Sequence, residues 1–145
     1  MKALIQRVTS ANVKVNGAIT GEIGKGLLVF LAVEKNDTEV SIEKLVHKLV
    51  HYRIFSDDEN KMNLNIQDTK GDILIVSQFT LAASTEKGLR PSFSDAASPE
   101  KAFKYYNYFV DKIRSASIPV STGIFGEDMK VELINDGPVT FLLNS

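Results

Sequence analysis

The sequence contains no cysteine. Disulfides, thiolate metal sites, iron–sulfur clusters and a cysteine nucleophile are therefore excluded, and the absence fits a reducing compartment. Histidine is nearly as scarce, with 2 in 145 residues, which limits the general bases and imidazole ligands available. Long apolar runs are missing too. The longest, Leu27 to Val33, falls far short of the roughly 20 residues of a membrane span. The opening MKALIQRVTSANVKV has no apolar h-region and no cleavage site. Neither sign of charge dominates: 17 Lys+Arg against 18 Asp+Glu leave a net charge of −1. That excludes a polybasic, histone-like protein but permits a local basic patch. No Pro-, Gly- or Ser-rich linker divides the chain. These features predict one cytoplasmic, soluble domain over residues 1–145, with no membrane partner.

What is present patterns as a mixed α/β protein. Ala3 to Val15 is rich in Val and Ile and ends at Asn16-Gly17, a strong hairpin signal. The apolar run Leu27–Val33 predicts a strand covered on both faces. Asn36-Asp37-Thr38 can cap a helix starting near Glu39, whose Ile42, Leu45, Val46, Leu49 and Val50 form one buried stripe. Tyr52–Phe55 reads as a short extended segment and Ser56–Lys61 as a polar turn. Asp72–Leu81 reads as a second central strand, and Ala82–Ser98 as a long loop of the kind that often carries function. Ser98-Pro99-Glu100 starts a second helix, with Ala102, Tyr106, Phe109, Val110 and Ile113 inward, ending near Ser115. Val120–Leu143 is strand-like and broken by glycines. Two helices with six or seven strands predict helices packed on one side of a sheet layer.

Conventional hydrolytic machinery is absent. His47 and His51 sit at i, i+4, a spacing that suits two zinc ligands, but Lys48 stands where HExxH needs Glu, and both point away from the apolar stripe. They read as surface histidines; a metallohydrolase built on them is the competing reading. No GxSxG elbow, EF-hand spacing, P-loop or dinucleotide fingerprint occurs. An enzyme made from this inventory must work with backbone groups, hydroxyls or its own substrate.

Three features carry possible chemistry. Ser77-Gln78-Phe79-Thr80 brings hydrogen-bonding side chains to the end of a predicted central strand, where ligands are commonly met. The same pattern also fits a strand leaving the core. Asn135-Asp136-Gly137-Pro138-Val139-Thr140 lies between two predicted strands, where a turn is the simplest reading. On the second helix Lys101, Lys104, Tyr108 and Lys112 fall opposite the core stripe, with Lys87 and Arg90 in the preceding loop. A phosphate backbone could lie along such a stripe, although a solvated helix face is the default.

The segments Ser77-Gln78-Phe79-Thr80-Leu81 and Asn135-Asp136-Gly137-Pro138-Val139-Thr140 resemble the two signature motifs of the D-aminoacyl-tRNA deacylases. Ile5-Gln6-Arg7-Val8, Lys87-Gly88, Arg90-Pro91-Ser92-Phe93, Thr122-Gly123, Phe125-Gly126 and Met129 extend the resemblance from end to end. It implies β/β/α layers and a homodimer with active sites at the subunit interface. It implies hydrolysis of the ester of D-aminoacyl-tRNA, and of glycine mischarged on tRNA-Ala, without metal or cofactor. Ser77, Gln78, Phe79 and Thr80 would form the catalytic pocket. Gly137 and Pro138, joined by a cis bond, would enter the partner's pocket as a chiral selector, supported by Arg7 and Met129. Lys87, Arg90, Lys101 and Lys104 would hold the acceptor end of tRNA, with no role in DNA binding. Thr80 or the substrate 2′-OH would carry the chemistry. A non-catalytic dimer that binds RNA or a small ligand is the alternative.

Overall fold

Asn16 and Gly17 take φ of 50° and 81°, the left-handed pair that a tight two-residue hairpin requires. They fold strand β1 (Lys2–Val15) back on β2 (Ala18–Ile23). The structure is a computed structural model and describes residues 1–86 and 88–145. β3 (Gly26–Ala32) pairs antiparallel with the first half of β1 and parallel with β6 (Asp72–Ser77), which pairs parallel with β7 (Val120–Thr122). β8 (Lys130–Asn144) runs antiparallel along almost all of β1. β4 (Phe55–Ser56) and β5 (Met62–Leu64) form a separate small ribbon.

The main sheet folds over on itself. Leu28, Leu74 and Val76 pack against Val8, Ala11 and Val13 of the far half of β1, with Met129, Val131 and Leu133 alongside. The edges approach so closely that a Cβ on Gly21 of β2 would lie 2.4 Å from the Thr122 carbonyl oxygen of β7. Ser121 Oγ also donates to the Glu22 carbonyl at 2.9 Å. The other face of the sheet carries Ile5, Leu27, Val29, Leu31, Ile73 and Ile75 into a larger core shared with both helices. This gives the expected β/β/α layering and explains why the run Leu27–Val33 does not alternate.

Helix α1 (Glu39–Val50) starts at Thr38, whose hydroxyl accepts from Ser41 N while Ser41 Oγ accepts from Thr38 N. Asp37, expected to help cap it, is instead buried. It pairs with the N-terminal amine and accepts from Glu34 N at 2.7 Å. Helix α2 (Pro99–Ser115) has Ser98 as N-cap and buries Tyr106, Phe109, Val110 and Ile113.

Two further expectations change. β6 stops at Ser77, short of Leu81, because its partner β3 ends at Ala32. Gln78 N still bonds the Leu31 carbonyl, and Phe79–Ala82 then curls into one 3-10 turn. The basic stripe on α2 is also divided. Tyr108 is partly buried, and its hydroxyl and the Lys112 ammonium both reach Glu43 of α1, the latter at 3.1 Å. Those two groups serve the helix–helix contact.

Candidate active site

The end of β6 opens into a cavity of about 450 Å³. Parallel strands that lose their partners leave backbone groups and polar side chains facing such a crevice. Ser77, Gln78 and Phe79 line one side, Leu31 of β3 and Val33 just beyond its end another, and Tyr106 of α2 with Phe125 and Met129 the rest. Met129 sits where it does because Gly123 has no side chain: a Cβ there would lie 2.5 Å from Met129 Sδ.

The lining includes no histidine. Tyr106 donates to the Ile75 carbonyl at 2.8 Å, and burial holds its hydroxyl far above the ordinary tyrosine range, so it stays protonated. Glu127 and Asp128 supply carboxylates to the lining, and Lys130 pairs with Asp128 at 2.9 Å. Thr80 stands just outside the lining, and its Oγ1 accepts from the Gln78 side-chain amide. An amide donor cannot take the proton that a nucleophilic hydroxyl must lose.

The second motif is a bulge on β8. The pairing jumps from Gln6↔Thr140 to Val8↔Asn135, so Asp136–Val139 loop out opposite Arg7. The Asn135 amide bridges the loop's base, accepting from Val139 N at 2.7 Å and donating to the Val139 carbonyl at 3.1 Å. Arg7 Nε donates to the Asp136 carbonyl at 2.9 Å, and its Nη1 to the Ile54 carbonyl at 2.7 Å. Val139 is buried as the anchor, whereas Gly137 and Pro138 are exposed. The Gly137–Pro138 peptide is cis.

Within one chain, Ser77, Gln78, Phe79 and Met129 thus meet around the cavity, and Arg7 meets the Gly137–Pro138 loop. Gly137 and Pro138 are not part of that cavity's lining. Lys101 donates to the Lys35 carbonyl at 2.7 Å and lies over the Tyr105 ring. Lys104 lines a shallow groove on α2, and Arg90 is exposed in the loop before it. Lys87 lies outside the described residues. His47 on α1 and His51 at its C-cap are exposed, with ring centroids 4.3 Å apart. Among the described residues no cluster of three or more His, Cys, Asp or Glu is placed to hold a metal ion, and no helix is long and apolar enough to cross a membrane. Sequence reasoning gave no role to the Asn135 clamp or the Ile54 carbonyl. An amide four residues before the residue it brackets is the only trace such a clamp leaves in a sequence.

Residues 4–144 match a family described as D-Tyr-tRNA(Tyr) deacylase. A D-aminoacyl-tRNA deacylase of Thermosipho melanesiensis is 62% identical, covering 100% of this chain and 97% of that protein. One from Haemophilus influenzae is 60% identical over 99% of both. Among solved structures, one titled c-Myc DNA Unwinding Element Binding Protein is 40% identical with a TM-score of 0.96, covering 100% of this chain and 99% of that one. A probable eukaryotic D-amino acid tRNA deacylase, 19% identical, shares the fold with a TM-score of 0.85 over 99% and 98% of the two chains.

Proposed function

Because this chain belongs to the D-Tyr-tRNA(Tyr) deacylase family, we propose that it hydrolyses the ester linking a D-amino acid to the 3′ end of tRNA, as a homodimer. The carrying observation is the pairing of a cavity at Ser77–Phe79, whose lining includes no histidine, with an exposed, firmly clamped Gly137–Pro138 loop.

An aminoacyl ester is already activated by its protonated α-amine and by the neighbouring ribose hydroxyl. A water attacks the carbonyl carbon, the bond to the ribose 3′ oxygen breaks, and the 2′-OH relays the proton to that leaving oxygen. The chain positions these groups and steadies the oxyanion. The N–H of Phe79, which lines the cavity, precedes the turn's first internal bond, Leu81 N to the Gln78 carbonyl, and is suited to that task. One such donor is worth about 2.7–4 kcal/mol in other hydrolases.

Chirality is read by exclusion. The Gly137–Pro138 loop of one protomer enters the cavity of its partner, where Met129 receives it. Its backbone carbonyls occupy the space an L side chain would need. Backbone rejects every L side chain alike, whatever its chemistry. Glycine has no side chain to reject, so glycyl-tRNA, including glycine mischarged on tRNA-Ala, is also a substrate. Arg90, Lys101, Lys104 and Lys87 contribute to holding the acceptor end.

The test is incubation of the purified protein with D- and L-tyrosyl-tRNA, with and without a chelator. Release of D-tyrosine alone, insensitive to the chelator, is expected. Retention of D-tyrosyl-tRNA without turnover would replace this reading by a non-catalytic RNA-binding dimer, and loss of activity with chelator would revive a metal mechanism.

A further inference from the structure

Phe79 and Phe93 expose 63% and 41% of their surface, yet they pack on each other with ring centroids 5.1 Å apart. Phe79 is also a wall of the cavity, so the pair begins where the cavity ends. The backbone beneath both rings is tied down. The 3-10 turn carries Phe79. Ser84 and Ser92 exchange backbone bonds of 2.8 and 3.0 Å, and Ala96 N donates to the Phe93 carbonyl at 3.1 Å. Rings held in this way lose little freedom when something stacks on them. So much exposed aromatic surface adds little to the fold and marks a contact site.

Resting on the deacylase reading above, we infer that the Phe79–Phe93 pair is a stacking platform for the nucleobase immediately 5′ of the esterified nucleotide. A cavity of about 450 Å³ suits one small ligand, here the terminal aminoacyl nucleoside. The strand on its 5′ side must leave across the mouth, where the two rings lie. Single-stranded nucleic acid is held at such points by base–aromatic stacking, which is indifferent to sequence. Arg90, exposed three residues before Phe93, adds a cation beside the path of a polyanion. The platform makes the enzyme a reader of a single-stranded RNA end and not of aminoacyl nucleosides in general.

The test compares wild type, Phe93→Ala and Phe93→Tyr on the D-tyrosyl esters of adenosine, of a trinucleotide ending in that adenosine, and of whole tRNA. Phe93→Ala should raise KM about tenfold for the trinucleotide and tRNA, leave kcat and the adenosine ester unchanged, and be rescued by Tyr. A trinucleotide abasic at the penultimate position should lose the sensitivity. Equal effects on all three esters, no effect on any, or dissociation of the dimer in sedimentation would each overturn the platform. Calorimetric binding of the unacylated trinucleotide reads the platform apart from turnover. Weaker binding by Phe93→Ala supports it, and equal binding overturns it, even if no ester is cleaved and the deacylase reading itself has failed.

Discussion

Arg7 holds Asp136 by its main chain: Nε donates to the Asp136 carbonyl at 2.9 Å, while the Asp136 carboxylate stands farther off at 3.5 Å. Through Nη1 the same guanidinium reaches the Ile54 carbonyl, so one planar fork joins the bulge on β8 to the segment entering β4. Lysine carries one compact charge and cannot span both acceptors. Arg7→Lys should leave the fold intact and lower stability by about 1–3 kcal/mol, read as a lower denaturant midpoint. Cleavage of D-tyrosyl-tRNA should fall about tenfold or more as the loop loosens. Unchanged activity would show that the clamp has no part in the reaction.

Thr80 bears on who supplies the chemistry. Its hydroxyl oxygen is occupied by the Gln78 amide, a donor and not a base. Thr80→Ala should therefore keep measurable activity, while a substrate with a 2′-deoxy terminal adenosine should be cleaved far more slowly. Replacing His47 and His51 together should change neither. Abolished turnover in Thr80→Ala with normal folding, beside normal cleavage of the 2′-deoxy substrate, would make Thr80 the nucleophile.

Much of this architecture is written locally in the chain. Asn16-Gly17 dictates its hairpin, and Ser98-Pro99 dictates the start of α2, because each depends on residues next to it. The apolar stripes of both helices are equally local, since period alone places Leu45 and Leu49, or Phe109 and Ile113, on one face. The end of β6 is not local: residues 78–81 look strand-like, and only the ending of β3 at Ala32 releases them. Lys112 likewise looks solvated until α1 brings Glu43 beside it. In the site, the two motifs can be found as words in the sequence. The clamps on the second, Arg7 from β1 and the Ile54 carbonyl, come from 129 and 82 positions away (136 − 7 and 136 − 54), where no spacing rule reaches.

Stability on the acid side should report on Glu34. Burial raises its carboxyl, but hydrogen bonds and charge from the N-terminal amine and Lys2 outweigh this and hold it below its ordinary 4.5. A carboxyl depressed in the folded state contributes stability that is complete above the unfolded value and is lost as pH falls through the folded one. The urea midpoint should therefore decline as pH drops below about 4.5, and Glu34→Gln should flatten part of that decline. Parallel curves for the two proteins would remove Glu34 from the account.

Gly137 offers the most direct test of chiral exclusion. It holds φ of 151°, and a Cβ there would lie 2.5 Å from Val139 Cγ2 and 2.7 Å from Val139 N. Neither neighbour can yield easily: Val139 is buried, and its N–H is bonded to Asn135 Oδ1 at 2.7 Å. The exposed side of the loop must move instead, taking its carbonyls with it. Gly137→Ala should thus lower the melting temperature modestly, because an L residue is strained at this φ, while the core itself stays intact, since the displaced residues contribute little to it. A displacement near 1 Å at a reacting centre costs on the order of a hundredfold in rate. Cleavage of D-tyrosyl-tRNA should fall by about that much, and, if the proposed exclusion by these carbonyls holds, the ratio of D to L cleavage should fall as well. Rates on D- and L-tyrosyl-tRNA, measured beside a thermal melt, separate the outcomes. A folded variant that keeps both its rate and its D-over-L ratio would show that chirality is read somewhere other than this loop.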